Sequence, residues 1–180
     1  MKNTIALILG AALLLSVMLA QADTEAESTL TKVGDEAPAF ECTTLDGKTV
    51  DLKGLRGKVV LVNFFATWCG PCMSEMPHLE KDVWQKFKDK KFVLLALGRE
   101  HENKELKDFP EKKQVTFPVA GDPGRKVYSK YAKQYIPRNY VINTEGKIAF
   151  QSVGYNEAEF AKMIAVIQKE LDKGTTQAKK

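Results

Sequence analysis

The chain has 180 residues, of which 44% are hydrophobic and 28% charged, and its formal net charge is +4. This length has room for one domain with a proper core and hardly for two, and the composition is that of a soluble globular protein. Both charge signs are scattered along the chain. The densest basic stretch, at 86–91, alternates with phenylalanines, so we interpret it as the solvated face of an amphipathic helix and expect no nucleic acid as partner.

Residues 1–22 are predicted to be a secretory signal peptide. Lys2 precedes an apolar stretch at 5–20, and Ala20-Gln21-Ala22 supplies a cleavage site. We expect cleavage there and a soluble product; a retained membrane anchor is the alternative. In both cases the chain is exported, to the periplasm or an equivalent location where disulfides persist. Residues 23–35 are polar and predict a flexible lead-in.

The domain is predicted to span 36–174, followed by a loose tail at 175–180. Apolar periodicity and turn residues predict the elements in chain order. The first half has a hairpin of strands 39–43 and 48–51, a turn or short helix at 52–57, a buried strand at 59–65, a helix from the cysteines to residue 90 and a strand at 92–97. The second half has a helix at 102–113, a strand at 116–119, a turn at 121–124, a helix at 126–135, strands at 139–142 and 148–153, and a helix from Asn156 to Gly174. Pro77 is expected to kink the helix after the cysteines. This order predicts an α/β fold, with a central mixed sheet flanked by helices and an added N-terminal β-hairpin.

The chemistry is expected at Trp68-Cys69-Gly70-Pro71-Cys72, between a buried strand and a helix. At the first turn of a helix, Cys69 points outward and Cys72 faces inward. Free N–H groups and the helix dipole favour the Cys69 thiolate, so Cys69 is the predicted nucleophile and Cys72 the resolving thiol. A helix terminus lowers a thiol pKa from about 8.5 to about 7 at most. This modest effect favours a reductant over a strong oxidant.

A C-x-x-C pair has two other interpretations, half of a zinc site and a structural disulfide. Zinc needs two further ligands, and the remaining candidates, Cys42, His78 and His101, form no second close pair. A disulfide across so small a loop constrains little of the unfolded chain. We therefore interpret the pair as catalytic, with no metal and no cofactor, and we interpret His78 and His101 as structural.

The run from Val60 to Cys72, followed by Glu75 and Pro77, resembles the thioredoxin superfamily and most closely its TlpA/ResA-like periplasmic thiol–disulfide oxidoreductases. Ala37-Pro38-Ala39-Phe40 and Leu45-Asp46-Gly47-Lys48 are similar to the start of that branch and of peroxiredoxins. The resemblance covers residues 36–172 and implies the thioredoxin-like fold.

The resemblance implies a cis-proline loop that faces the cysteines, and Ile136-Pro137 matches its place. A proline there leaves the backbone of Ile136 available to a substrate strand; an ordinary trans proline is the alternative. Arg138 departs from the small hydroxyl residue that is common after this proline. The expected substrate-binding residues are Trp68, Gly70, Pro71 and Ile136. Pro137 is expected to be a catalytic residue, as are Cys69 and Cys72.

The resemblance also bears on proton transfer. Asn63 stands where thioredoxins usually carry a buried Asp, and an amide cannot exchange a proton. Glu75 matches an acidic residue of the ResA-like branch, so we expect it to assist deprotonation of Cys72 as a further catalytic residue. A solvated helical Glu is the alternative. Cys42 is left as an odd thiol, either buried and inert, in an intermolecular disulfide, or a third redox partner.

These features predict a monomeric protein-disulfide oxidoreductase that reduces disulfides of exported proteins, as in cytochrome c maturation, and is re-reduced by a membrane or periplasmic thiol donor. One rival is a peroxiredoxin-like thiol peroxidase, although the stretch from Phe64 to Trp68 lacks the proline that peroxiredoxins place before their reactive cysteine. The other rival is a copper-carrying protein of the same fold, which would use a wider cysteine pair and a suitably placed His.

Overall fold

The computed structural model describes residues 25–177, with side chains through residue 174. The predicted signal peptide at 1–22 lies outside the described residues. Within the described part, the helices do not combine the length and apolar character that crossing a membrane would require.

Between residues 25 and 177, seven strands form two sheets. They are β1 (Glu41–Thr43), β2 (Thr49–Asp51), β3 (Val59–Phe65), β4 (Phe92–Arg99), β5 (Val119–Asp122), β6 (Arg138–Ile142) and β7 (Ile148–Val153). The first two pair as an antiparallel hairpin, and the other five form a sheet in the order β5-β4-β3-β6-β7. In that sheet, β3, β4 and β5 run parallel, β6 pairs antiparallel with β3, and β7 pairs antiparallel with β6. The predicted mixed sheet with an added N-terminal hairpin is confirmed.

Besides a helical turn at 25–28, four helices accompany the sheet in the described part of the chain. Helix α1 runs from 70 to 87 as three continuous parts, α-helical Gly70–His78, π-helical Leu79–Trp84 and α-helical Gln85–Phe87. The others are α2 (Phe109–Lys113), α3 (Tyr128–Tyr131) and α4 (Glu157–Gln177), and short 3₁₀ turns occupy Lys53–Leu55, Asn103–Leu106 and Pro123–Arg125.

The structure differs from the sequence prediction mainly at element ends. Helix α1 ends at Phe87 rather than at residue 90. The helix predicted at 102–113 is divided into a 3₁₀ turn and α2, because Pro110 lies in the first turn of α2, where its missing N–H is tolerated. Strand β5 begins at Val119, so it contains part of the turn predicted at 121–124.

Two further segments differ from expectation at their ends. Only Tyr128–Tyr131 of the helix predicted at 126–135 is helical. Helix α4 continues past Gly174 into the predicted tail. At its start, the Asn156 side chain accepts the N–H of Glu159 at 2.9 Å, as expected for a helix cap.

Strand β3 is buried along its whole length, as its continuous apolar sequence predicts. Leu61 and Phe65 face the helices α1 and α4 across one side of the sheet, whereas Val62 and Phe64 face the tyrosines of α3 and β6 on the other. Each fully buried side chain of this size stabilises the fold by about 1.5–3 kcal/mol. The two-sided core fixes the strand whose end carries the cysteine motif.

The segment predicted as a flexible lead-in makes defined contacts from residue 25 onward. The N–H of Leu30 donates to the carbonyl of Tyr131 at 2.9 Å, and the N–H of Ile148 donates to the carbonyl of Asp35 at 2.9 Å. Backbone donors and acceptors in this segment are thereby satisfied by the domain itself. Its polar composition gave no sign of these long-range bonds.

Gly121 allows the loop after β4 to pack closely on the end of β5. A Cβ at this position would lie 2.3 Å from the carbonyl oxygen of His101 and 2.9 Å from the carbonyl carbon of Glu102. Both neighbours are backbone atoms, so they cannot move aside by a change of rotamer. This close approach holds the loop that carries His101 against the sheet.

We expect Gly121→Ala to lower the free energy of unfolding by about 1–3 kcal/mol, because the loop backbone has to shift. Gly54→Ala is the control, since the nearest atom to its new Cβ is 3.8 Å away. Urea denaturation of both variants measures the difference. Equal stabilities would contradict the close packing at Gly121.

Candidate active site

The cysteine pair lies at the junction of β3 and α1. Cys69 is the N-cap of α1, and its Sγ accepts the backbone N–H of Cys72 at 3.2 Å. The two cysteines form a disulfide with their Cα atoms 5.3 Å apart. Cys69 is 6% exposed and Cys72 is fully buried. Cys69 is therefore the more accessible of the two cysteines, and it lies at a helix N-terminus, which favours negative charge.

The other expected substrate-binding residues surround Cys69. Trp68 is 64% exposed beside it, and Gly70 is exposed at the start of α1. The Sγ of Cys69 lies 3.7 Å from the carbonyl oxygen of Ile136, and the Ile136–Pro137 peptide bond is cis. The structure thus brings the cysteine motif and the proline loop together, although they are far apart in sequence.

Glu75 occupies the interior of the protein, not its surface. Its side chain is only 1% exposed. One carboxylate oxygen accepts Nδ2 of Asn63 at 3.0 Å and the other accepts Nδ2 of Asn139 at 2.6 Å. Asn63 Nδ2 also donates to Oδ1 of Asn139 at 2.9 Å. A carboxyl group and two amides therefore form a closed buried cluster, and the alternative of a solvated Glu75 is wrong.

Burial raises the pKa of Glu75 to about 7, even though the hydrogen bonds from Asn139 and Asn63 act in the opposite direction. The cause is desolvation, which disfavours the charged carboxylate. A carboxyl group with this pKa exchanges its proton near neutral pH, which suits a general acid or base. Asn139 was not identified from the sequence. A polar residue within a buried strand, directly after Arg138, was the available signal.

His101 has a partner that the sequence did not indicate. Its Nε2 accepts the backbone N–H of Thr67 at 3.2 Å and lies 3.3 Å from the Thr67 hydroxyl. Its Nδ1 lies 3.9 Å from a carboxylate oxygen of Glu105. The acceptor role of Nε2 requires the proton of the neutral ring to be on Nδ1. His101 thus supports the residue that precedes Trp68.

Cys42 and His78 lie outside this group. Cys42 is free and half-buried in β1, where burial, followed by the charges of Asp122 and Glu41, raises its thiol pKa to about 11. It is therefore a thiol at neutral pH, as expected of an inert cysteine. Nδ1 of His78 lies 3.1 Å from Oδ2 of Asp82, and the His78 ring stacks on Tyr155. Among the described residues, no group of three or more His, Cys, Asp or Glu side chains is arranged to hold a metal ion.

Comparisons with known proteins agree with this geometry. The model of the AhpC/TSA family matches residues 33–151. The thiol-disulfide oxidoreductase ResA of Bacillus anthracis is 37% identical over 128 residues, which are 71% of this chain and 73% of that protein.

Two solved structures are similar over most of their length. A candidate protein disulfide isomerase from Bacteroides thetaiotaomicron has a TM-score of 0.78 and 40% identity, covering 84% of this chain and 97% of that one. A candidate thiol:disulfide interchange protein DsbE from Chlorobium tepidum has a TM-score of 0.70 and 29% identity, covering 78% and 98%. The chain therefore belongs to the AhpC/TSA family and is a protein-disulfide oxidoreductase of thioredoxin fold, related to ResA.

Proposed function

We propose that this oxidoreductase works in the reducing direction, on disulfides of exported proteins, with apocytochromes c as one client class. A membrane or periplasmic thiol donor re-reduces it, and it acts as a monomer. The observation that carries the proposal is the environment of Cys69. Its Sγ accepts one backbone N–H, from Cys72, and among the described residues no cationic side chain hydrogen-bonds to it.

Weak stabilisation of the thiolate argues for a reductant. Strong oxidants of this fold are oxidising because their reduced form is stabilised, with a thiolate of very low pKa. Here the helix terminus and one amide contribute no more than about 2 kcal/mol. An ionised Glu75, one turn beyond Cys72, would also disfavour a second negative charge nearby.

The proposed reaction begins when the Cys69 thiolate attacks a sulfur of the substrate disulfide. The substrate S–S bond breaks, one substrate thiolate leaves, and a mixed disulfide forms. Glu75 then takes the proton of the Cys72 thiol, and the Cys72 thiolate attacks Sγ of Cys69. The second substrate thiolate leaves, and the two electrons of the dithiol have passed to the substrate. Trp68, Gly70, Pro71 and the Ile136–Pro137 loop hold the substrate strand.

The redox equilibrium of the Cys69–Cys72 pair against glutathione tests the direction. We expect a potential close to that of thioredoxin, about −270 mV, rather than that of the oxidant DsbA, about −120 mV. Quantitative thiol trapping after equilibration measures the oxidised fraction. A value near that of DsbA would contradict the reducing direction and leave the family assignment intact.

The roles of the two cysteines are tested by single substitutions. Cys72→Ser should accumulate a mixed disulfide with a substrate, because no thiol remains to resolve it, whereas Cys69→Ser should trap nothing. Mass spectrometry of the trapped adduct measures both outcomes. Peroxide-dependent turnover that survives in Cys72→Ser would instead favour the peroxidase alternative.

The proposed role of Glu75 predicts a change in the pH profile. Glu75→Gln should remove the component of the resolving rate with a midpoint near pH 7, because the amide cannot accept a proton. Glu111→Gln, at an exposed position in α2, is the control and should keep the normal profile. Stopped-flow measurement of mixed-disulfide resolution between pH 5 and 9 compares them. An unchanged profile in Glu75→Gln would remove the residue from the mechanism.

The Glu75 carboxyl also makes the free energy of unfolding depend on pH. Because the folded-state pKa is raised, folding favours the protonated carboxyl, so this contribution is present below about pH 4.5 and is lost as the pH rises through about 7. The loss amounts to about 3 kcal/mol. Urea denaturation at several pH values should show it in the parent protein and not in Glu75→Gln.

A further inference from the structure

Arg138 is a buried cation directly after the proline of the active-site loop. Its side chain is 1% exposed, and among the described residues no carboxylate pairs with it. Burial of a guanidinium is costly unless its N–H groups find acceptors. The partners that satisfy Arg138 therefore indicate what this residue holds together.

One side of the guanidinium bonds to the chain just before Pro137. Nε donates to the carbonyl oxygens of Gln134 and Tyr135, at 3.0 and 3.3 Å. The hydroxyl of Tyr128 donates to the same Tyr135 carbonyl at 2.7 Å. Tyr135 has a φ of +68°, a conformation that residues other than glycine adopt only when their surroundings impose it.

We name residues 134–136 the substrate loop. Its last carbonyl, that of Ile136, lies 3.7 Å from Sγ of Cys69. The bonds from Arg138 and Tyr128 thus fix the backbone of the loop immediately before the residue that contacts the reactive sulfur. A change in those bonds alters the surface that an incoming substrate strand meets.

The other side of the guanidinium bonds to residues 25–31, which we name the N-terminal segment. The two terminal nitrogens donate to Oγ1 of Thr29 at 2.9 Å and to Oγ of Ser28 at 2.6 Å. Both hydroxyls donate in turn to the carbonyl oxygen of Glu25, at 2.9 and 2.7 Å. Their protons are therefore directed away from Arg138, and their lone pairs face it.

The backbone of the N-terminal segment is joined to the same region. The N–H of Lys133 donates to the carbonyl of Ser28 at 2.8 Å, and Thr29 forms an isolated antiparallel bridge with Ala132. Residues 132–133 lead directly into the substrate loop. The N-terminal segment is thus connected to the substrate loop in two ways, by its backbone contacts with residues 132–133 and by the side-chain bonds of Arg138.

We propose that Arg138 is a positioning residue, through which Ser28 and Thr29 of the N-terminal segment set the conformation of the substrate loop. The inference rests on the proposed function, in which this loop holds the substrate strand. Arg138 touches no reacting atom. It therefore governs affinity for a protein or peptide disulfide and leaves the equilibrium between the cysteines and a small thiol nearly unchanged.

The test uses the full chain and a disulfide-bonded peptide as substrate. The double variant Ser28→Ala/Thr29→Val removes both acceptors while leaving Arg138 in place. Two charge-assisted hydrogen bonds are lost, so KM for the peptide should rise about tenfold or more, with a smaller change in kcat. The oxidised fraction of the cysteine pair in glutathione buffers should match that of the parent.

Two controls separate positioning from general stability. Thr29→Ser keeps a hydroxyl as acceptor and should keep the parental KM. Glu27→Gln alters an exposed side chain of the same segment, and it should also keep the parental KM. Urea denaturation ranks the stabilities of all variants.

Three outcomes decide the matter. A KM increase confined to the double variant supports the proposal. An unchanged KM in the double variant, or an equal increase in Glu27→Gln, overturns it, because the effect would then be absent or would follow from any change in the segment. Failure of the parent to reduce the peptide, with a normal glutathione equilibrium, overturns the proposed function instead and with it the basis of this inference.

Discussion

The buried carboxyl of Glu75 is the constraint around which the site is arranged. It comes from α1, and its two partners, Asn63 and Asn139, come from adjacent strands where they are direct register partners. A slip of one residue between β3 and β6 would turn one of the amides to the opposite face of the sheet. The strand register, the placement of α1 and the charge under the cysteines are thus determined together, and the desolvation of the carboxyl is offset only in part by the two amides.

Three loops meet at the end of the sheet where this cluster lies. The first follows β3 and carries Trp68 and Cys69, the second follows β4 and carries His101, and the third precedes β6 and carries Ile136 and Pro137. The contact between Thr67 and His101 joins the first two loops, and the approach of Cys69 to Ile136 joins the first and third. Gly121 permits the backbone of the second loop to pack against the end of β5. A reactive sulfur at a helix terminus therefore sits on rigid elements rather than on a free loop, which favours reproducible alignment with a substrate disulfide.

Sequence patterns were informative where a local signal determines the structure. The continuous apolar strand at 59–65 and the strand at 148–153 have the predicted ends, since burial and turn residues define them locally. The cysteine pair could be placed at a helix start for the same reason. The cluster of Glu75 with two amides could not be derived locally, because Asn63 and Asn139 are separated by 76 residues. Likewise, Arg138 bonds to Ser28 across 110 residues, and no periodicity encodes a contact between an apparent lead-in and a strand.

Strand β6 connects the two buried polar systems through the alternation of its side chains. Successive residues of a strand point to opposite faces of the sheet, so Asn139 faces α1 and the carboxyl of Glu75, while Arg138 faces Tyr140 and the N-terminal segment. Arg138 and Asn139 are the first two residues after Pro137. One face of the strand thus supports the group proposed to handle a proton, and the other supports the loop proposed to hold the substrate. A movement of β6 along its own axis would disturb both systems at once, whereas a side-chain substitution on one face leaves the other intact.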